Sequence, residues 1–158
     1  MLRRDAVFPK AVRYVGVDQE AGEGVDIVAD AHSLSKAVEP ESFDATLALS
    51  TFEHIKYPWL AAHEMATVTK QGGLIYVSSH QSFALHGAPH DYWRFSANGF
   101  RALVPESMGV TVLQCLYTRP CLIVAGEDPQ QALGRSYLCV SLFAQKVGPT
   151  PDSFPYEL

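Results

Sequence analysis

The sequence predicts an α/β fold, a mostly parallel sheet with an antiparallel strand pair at its C-terminal side. Three observations carry this reading. Short apolar, β-branched runs at Tyr14–Asp18, Val25–Ala29, Phe43–Leu49 and Leu74–Ser78 are spaced as separate strands. The apolar residues of Phe43–Leu49 sit next to one another rather than alternating, as a strand buried on both faces requires. Two longer strand-like runs, Val110–Thr118 and Ser136–Lys146, are separated by a loop with Gly126, Pro129 and Gly134 and leave no room for a helix.

The elements follow in order. Residues 5–11 form a short mixed segment broken by Pro9. The strand 13–18 is followed by Gly22 and Gly24, which punctuate a turn. Gly22-Glu23-Gly24 leads into a strand rather than a helix, so it is a plain turn and not a phosphate loop. Ser33–Val38 reads as a short helix stopped near Pro40. Residues 58–70 read as a helix: Pro58 suits its first turn, and Leu60, Ala61, Met65 and Val68 recur at helical spacing. Gly72-Gly73 is expected to end it. After the strand Leu74–Ser78 comes a polar, His-rich loop from Ser79 to Phe95. Ser96 is placed to cap a helix containing Phe100, Leu103 and Val104. Residues 1–147 read as one domain and residues 148–158 as an irregular, Pro-rich tail.

Composition narrows the function. At 158 residues the chain is long enough for one domain with a proper core. Its charged fraction is 18%, low for a soluble domain, which suits a largely buried sheet or a surface covered by a partner. The formal net charge of −5 argues against nucleic acid, since Arg3, Arg4, Lys10 and Arg13 are too few for a basic arm. Cys115, Cys121 and Cys139 show no C-x-x-C spacing and read as reduced thiols filling strands. With no apolar leader and no run long enough to span a bilayer, the expected location is the cytoplasm, away from membranes.

The chemistry concentrates at strand ends. Asp18 closes one strand and Asp30 follows the next. In an open α/β sheet, ligands bind beyond the carboxyl ends of the strands. Carboxylates there can take the hydroxyls of a ribose. The plainer alternative is that Asp18 ends a turn and Asp30 caps a short helix. Glu53 and His54 follow the Phe43–Leu49 strand, as pocket wall and proton acceptor or as ordinary first-turn residues of a helix. His80, His86 and His90 with Asp91 suggest a metal cluster, but their spacing lies in a loop without thiolates or an H-E-x-x-H helix, so no metal is expected. The loop is better read as substrate recognition through His86, His90, Asp91, Tyr92, Trp93 and Arg94. The competing reading has Tyr92, Trp93 and Phe95 anchoring the loop while Asp91 pairs with Arg94.

The order of these features resembles a known family. Tyr14–Asp18, Asp30-Ala31-His32, Phe43-Asp44 opening a strand that leads to Ser50-Thr51-Phe52-Glu53-His54, and Lys70-Gln71-Gly72-Gly73-Leu74 before the next strand are similar to class I S-adenosylmethionine-dependent methyltransferases, in the group called methyltransferase type 11. The loop His86–Phe95 resembles a bacterial subset of that group. The resemblance spans about residues 13–146. It implies a Rossmann-like three-layer sandwich and S-adenosylmethionine as cofactor. Asp18 would bind the ribose, Asp30 the adenine amino group, and Ala31 would pack on the ring. Ser50, Thr51 and Glu53 would line the pocket near the reactive methyl. His54 or His90 would accept a proton where the acceptor, a small molecule or glycan, must lose one.

One departure stands out. The family's first strand and its glycine-rich turn have no counterpart in these residues, so the chain is expected to be truncated on its N-terminal side. That strand lies mid-sheet in the family, between the strands of Tyr14 and Thr46. Unpaired buried backbone groups cost about 1–3 kcal/mol each. Three outcomes are therefore expected: those strands pair directly, the sheet rearranges, or a second chain completes it, most simply in a homodimer.

Overall fold

The computed structural model describes residues 7–126 and 132–156. Arg3, Arg4 and Pro129, with parts of the segment 5–11 and of the tail 148–158, lie outside the described residues. Among the described residues there are six strands: β1 (Val17–Asp18), β2 (Ile27–Val28), β3 (Phe43–Leu49), β4 (Thr69–His80), β5 (Val110–Val124) and β6 (Ala132–Lys146). Two α-helices, α1 (Pro58–Val68) and α2 (Ala97–Ala102), and 3₁₀ turns at Ala31–Lys36, Phe52–His54 and Glu106–Met108 connect them.

The strands form two separate sheets. β1 and β2 pair in parallel, Val17 opposite Ile27 and Asp18 opposite Val28. The other four run in the order β3-β4-β6-β5, with β3 parallel to β4 and the remaining pairs antiparallel. The α/β plan and the antiparallel C-terminal pair are as the sequence predicts. Direct pairing of the Tyr14 and Thr46 strands does not occur among the described residues: β1 bonds to β2, and β3 to β4.

Two boundaries differ from expectation. The 58–70 helix ends at Val68, and Thr69 is already extended, its hydroxyl donating to Met65 O at 2.6 Å. Gly72-Gly73 therefore stops no helix; it lies in the irregular start of β4, where the register with β3 shifts between Phe43 and Ala45. The strands around Asp18 and Asp30 are also shorter than expected. Gly16 sits so close to Gly24 that a Cβ there would lie 1.8 Å from the Gly24 carbonyl oxygen. This close approach needs glycine, and it lets Gly16 O accept from both Asp26 N and Ile27 N at 2.8 and 3.0 Å.

The core lies between the four-stranded sheet and the helices. Phe52, Ala61, Met65, Ala66, Ile75, Val77, Phe95, Phe100, Met108, Val140 and Leu142 are all buried in it. Phe100 meets Phe95 with ring centres 4.7 Å apart and Phe52 edge-on at 6.4 Å. Ser96 caps α2 as predicted, accepting from Gly99 N at 3.0 Å. The buried Lys146 ammonium is satisfied by Thr69 O at 2.9 Å and Glu41 at 3.1 Å. Pro120 breaks no ladder because β5 is the outer strand.

Candidate active site

Parallel strands deliver their C-terminal ends to one rim, and the candidate residues follow those ends. Asp18 ends β1; Asp30 lies two residues beyond Val28, its register partner on β2. The register thus places the two acids at neighbouring strand ends, Asp18 as the last residue of β1 and Asp30 just past β2. Asp18 Oδ1 accepts from Glu20 N at 3.1 Å. Asp30 is more committed: it caps the 3₁₀ turn through His32 N at 2.9 Å and meets the His32 ring at 2.6 Å. These bonds, the backbone one first, hold its carboxyl below the ordinary carboxylate range. Asp30 thus caps the turn, and Ala31 opens the turn that it caps. That turn leans on α1, where Glu64 accepts from Ser35 N at 2.6 Å.

The second half of the rim grows from β3. Ser50 takes a left-handed conformation (φ 50°) and donates its N–H to Ser78 O at 2.8 Å. The sharp turn this makes drops Glu53 into the interior, with no exposed surface. Ser79, at the end of β4, donates its hydroxyl to Glu53 Oε2. Glu53 Oε1 stands 2.9 Å from His80 Nδ1 and 3.9 Å from His86 Nε2. Burial pushes the His80 imidazole below its ordinary pKa, against the pull of the Glu53 carboxylate. His80 also stacks on Phe83 at 4.1 Å.

The loop after β4 folds back over this carboxylate. Glu53 O accepts from Tyr92 N at 2.8 Å and Trp93 N at 3.2 Å. His54 Nδ1 donates to His90 O at 2.6 Å, and the His54 and His86 rings meet edge-on at 4.8 Å. Gly87 (φ 66°) makes room for this: a Cβ there would lie 2.7 Å from His54 Cε1. Asp91 and Arg94 form a two-pronged pair at 2.6 and 2.9 Å. Arg94 also bonds Phe83 O and Ala84 O, and Asp91 accepts from His86 N at 2.9 Å. The Arg94 guanidinium holds the Asp91 carboxyl far below its usual range. Asp91 and Arg94 therefore brace the loop. Phe95 enters the core, while Tyr92 and Trp93 remain 40% and 37% exposed at the rim. His90 is exposed and contacts the Tyr92 hydroxyl at 3.0 Å.

The structure thus brings Glu53, His54, His86, Asp91 and Arg94 into one cluster, with Asp18 and Asp30 on a separate sheet. Sequence reasoning missed Ser79 as the group that fixes Glu53. The signal was available: in a parallel pair, the residues after β4 stand beside those after β3, and Leu49 is in register with Ser78.

Comparison with known proteins gives the class. Residues 8–77 match the family described as a methyltransferase domain. An S-adenosylmethionine-dependent methyltransferase from Archaeoglobus fulgidus is similar over 84% of this chain and 75% of its own, at 13% identity and a TM-score of 0.62. A 1,6-didemethyltoxoflavin-N1-methyltransferase from Burkholderia thailandensis, solved with 1,6-didemethyltoxoflavin and S-adenosylhomocysteine, is similar over 92% and 67%, at 13% identity and 0.61. A methyltransferase from Thermotoga maritima is similar over 78% and 65%, at 18% identity and 0.54. The chain spans only 55% and 58% of two further solved structures. No curated protein sequence matches it. The fold is that of class I S-adenosylmethionine-dependent methyltransferases.

Proposed function

We propose that this chain binds S-adenosylmethionine at the strand-end rim and serves methyl transfer to a small-molecule or glycan acceptor. The observation that carries the reading is the parallel β1–β2 register, which brings Asp18 and Asp30 to adjacent strand ends. The residues fit the nucleoside half of the cofactor. Asp18 is exposed and offers a carboxylate to two ribose hydroxyls. Asp30, kept ionised and oriented by His32, accepts from the adenine amino group, and Ala31 packs on the ring. For the methionine half, the candidates are Ser50, Thr51 and the Glu53 turn.

When bound, the cofactor supplies an electrophilic methyl on a sulfonium. The chain's own part is to bind, orient and exclude water. Tyr92 and Trp93 offer flat, half-exposed faces to an acceptor, and the Asp91–Arg94 brace fixes their backbone. His90 carries an exposed imidazole suited to accept a proton. His54 is the second candidate, with Nε2 available because Nδ1 donates to His90 O.

The test is a thermal melt with millimolar S-adenosylmethionine or S-adenosylhomocysteine. Binding to the folded state raises Tm by linkage, and Asp18→Ala abolishes the rise. No shift in the parent protein would refute the reading.

A second reading is a non-catalytic partner-binding module. It is favoured by the division between β1–β2 and the four-stranded sheet, which leaves β3 with a partner on one side only among the described residues. A strand from a second copy could be received there. Light scattering showing a dimer, together with no cofactor shift, would support this reading over the first; a monomer would exclude it.

A further inference from the structure

The buried Glu53 carboxylate raises a question the methyl-transfer reading does not answer. Its Oε2 is held by Ser79. Its Oε1 faces His80 Nδ1 at 2.9 Å without a well-aligned hydrogen bond and accepts no other among the described residues. A carboxylate oxygen taken fully out of water needs a donor or a cation. Two imidazoles face the same place. His54 Nδ1 lies 2.6 Å from the carbonyl of His90, and His86 Nδ1 lies 3.1 Å from the carbonyl of Ala84 and 3.7 Å from Asp91 Oδ2. All of those partners are acceptors. In the neutral ring each Nδ1 must carry the proton, and each Nε2 presents a lone pair. One carboxylate oxygen and two imidazole nitrogens from Glu53, His54 and His86 all lie within 4.8 Å of one another.

We propose that Glu53, His54 and His86 form a binding site for a divalent transition-metal ion of the zinc type. Three protein ligands of this mixture, with one position left open, are the composition of a catalytic zinc site, and a fully oxygen-liganded hard cation would not choose it. The supporting shell is in place. Metal-bound histidines usually donate their other N–H to a carbonyl or carboxylate, and both do so here. Zinc bonds of about 2.0–2.1 Å set tetrahedral donors about 3.3 Å apart, so binding draws the three side chains together by roughly 1 Å or slightly more. His54 and His86 are partly exposed, which gives the ion a way in. The spacing of His80, His86 and His90 argues for no metal because it counts only the loop. Glu53 and His54 come from the turn after β3 and join His86 only through the fold. The site goes beyond the methyl-transfer reading and does not depend on it, though it shares Glu53 and His54 with that reading: with the ion bound, His54 Nε2 is a ligand and proton acceptance falls to His90. Its open position would take a water or an acceptor hydroxyl.

The experiment is calorimetric titration of chelator-treated protein with zinc chloride, followed by cobalt(II) substitution and visible absorption. We expect one equivalent of zinc to bind, an increase in Tm, and the spectrum of a four-coordinate cobalt site. His54→Ala and His86→Ala should each weaken binding at least tenfold while melting cooperatively without metal. His90→Ala, whose carbonyl is retained, should keep it. Absence of stoichiometric binding would overturn the proposal. So would zinc binding that survives both His54→Ala and His86→Ala, or a tight magnesium site in its place. Measuring the S-adenosylmethionine shift separately on metal-free protein keeps the outcomes apart, since either site can fail alone.

Discussion

β1 and β2 contribute two residues each, and their apolar side chains Val17 and Val28 are 39% and 57% exposed. In the four-stranded sheet, Ile75, Val77, Val140, Leu142 and Ala144 are each at or below 5%. The nucleoside half of the proposed site therefore stands on a thin, wet ladder, and the Glu53 cluster stands on the core. The two halves are linked where the Ala31–Lys36 turn meets α1, through the Ser35–Glu64 bonds and Tyr57 N to the His32 ring. Local stability follows buried apolar contacts. The proposed cofactor end is thus expected to open readily while the Glu53 end stays closed.

The largest effect that probes this contrast is Phe52→Ala. Phe52 is 1% exposed and packs between Phe95 and Phe100, so its loss should cost about 3–5 kcal/mol in denaturant unfolding. Gly16→Ala should act on the other sheet only. Its Cβ would collide with the Gly24 carbonyl, costing more than about 1 kcal/mol locally. Hydrogen exchange should speed up at the amides of Asp26, Ile27 and Ala29, with β4 and β6 unchanged; faster exchange in the core strands as well would mean that the two sheets unfold as one. Asp30→Ala removes a cap and should cost about 1 kcal/mol. Because the folded carboxyl titrates below its unfolded value, its contribution is complete above the ordinary carboxylate pKa and is lost as pH falls through the lower folded one. The parent and Asp30→Ala stability curves should therefore converge on acidification. The smallest effect is Asp18→Ala, within about 0.5 kcal/mol in the melt, because the side chain is exposed and bonds only Glu20 N. Against that quiet background the loss of a cofactor shift would be easy to read.

Much of this was legible in the sequence. The antiparallel β5–β6 pair and the Ser96 cap follow from local pattern and turn chemistry; β3, expected to be buried on both faces, is only half-buried, because among the described residues it pairs with β4 on one side alone. The end of α1 was not legible, because Thr69 is drawn into β4 by pairing with Phe43, a contact 26 residues away. Within the site, the Asp91–Arg94 pair is local, three residues apart, and could be weighed from spacing. The joining of Glu53 to Ser79, His80 and His86 depends on the β3–β4 register and on Gly87 admitting the His54 ring. Neither leaves a periodicity to read.

The pairing of β6 carries one more consequence. β4 reaches only to Cys139, so residues 132–138 of β6 are backed by β5 alone. Seven residues of two-stranded ribbon run about 24 Å beyond the sheet, past the end of β4 from which the histidine loop departs. Its base is pinned there: Gln81 accepts from Ser136 and Tyr137 and donates to Leu138 O. The ribbon leaves the sheet one residue from His80, and its outer part bears Leu122 and Ile123 in solvent.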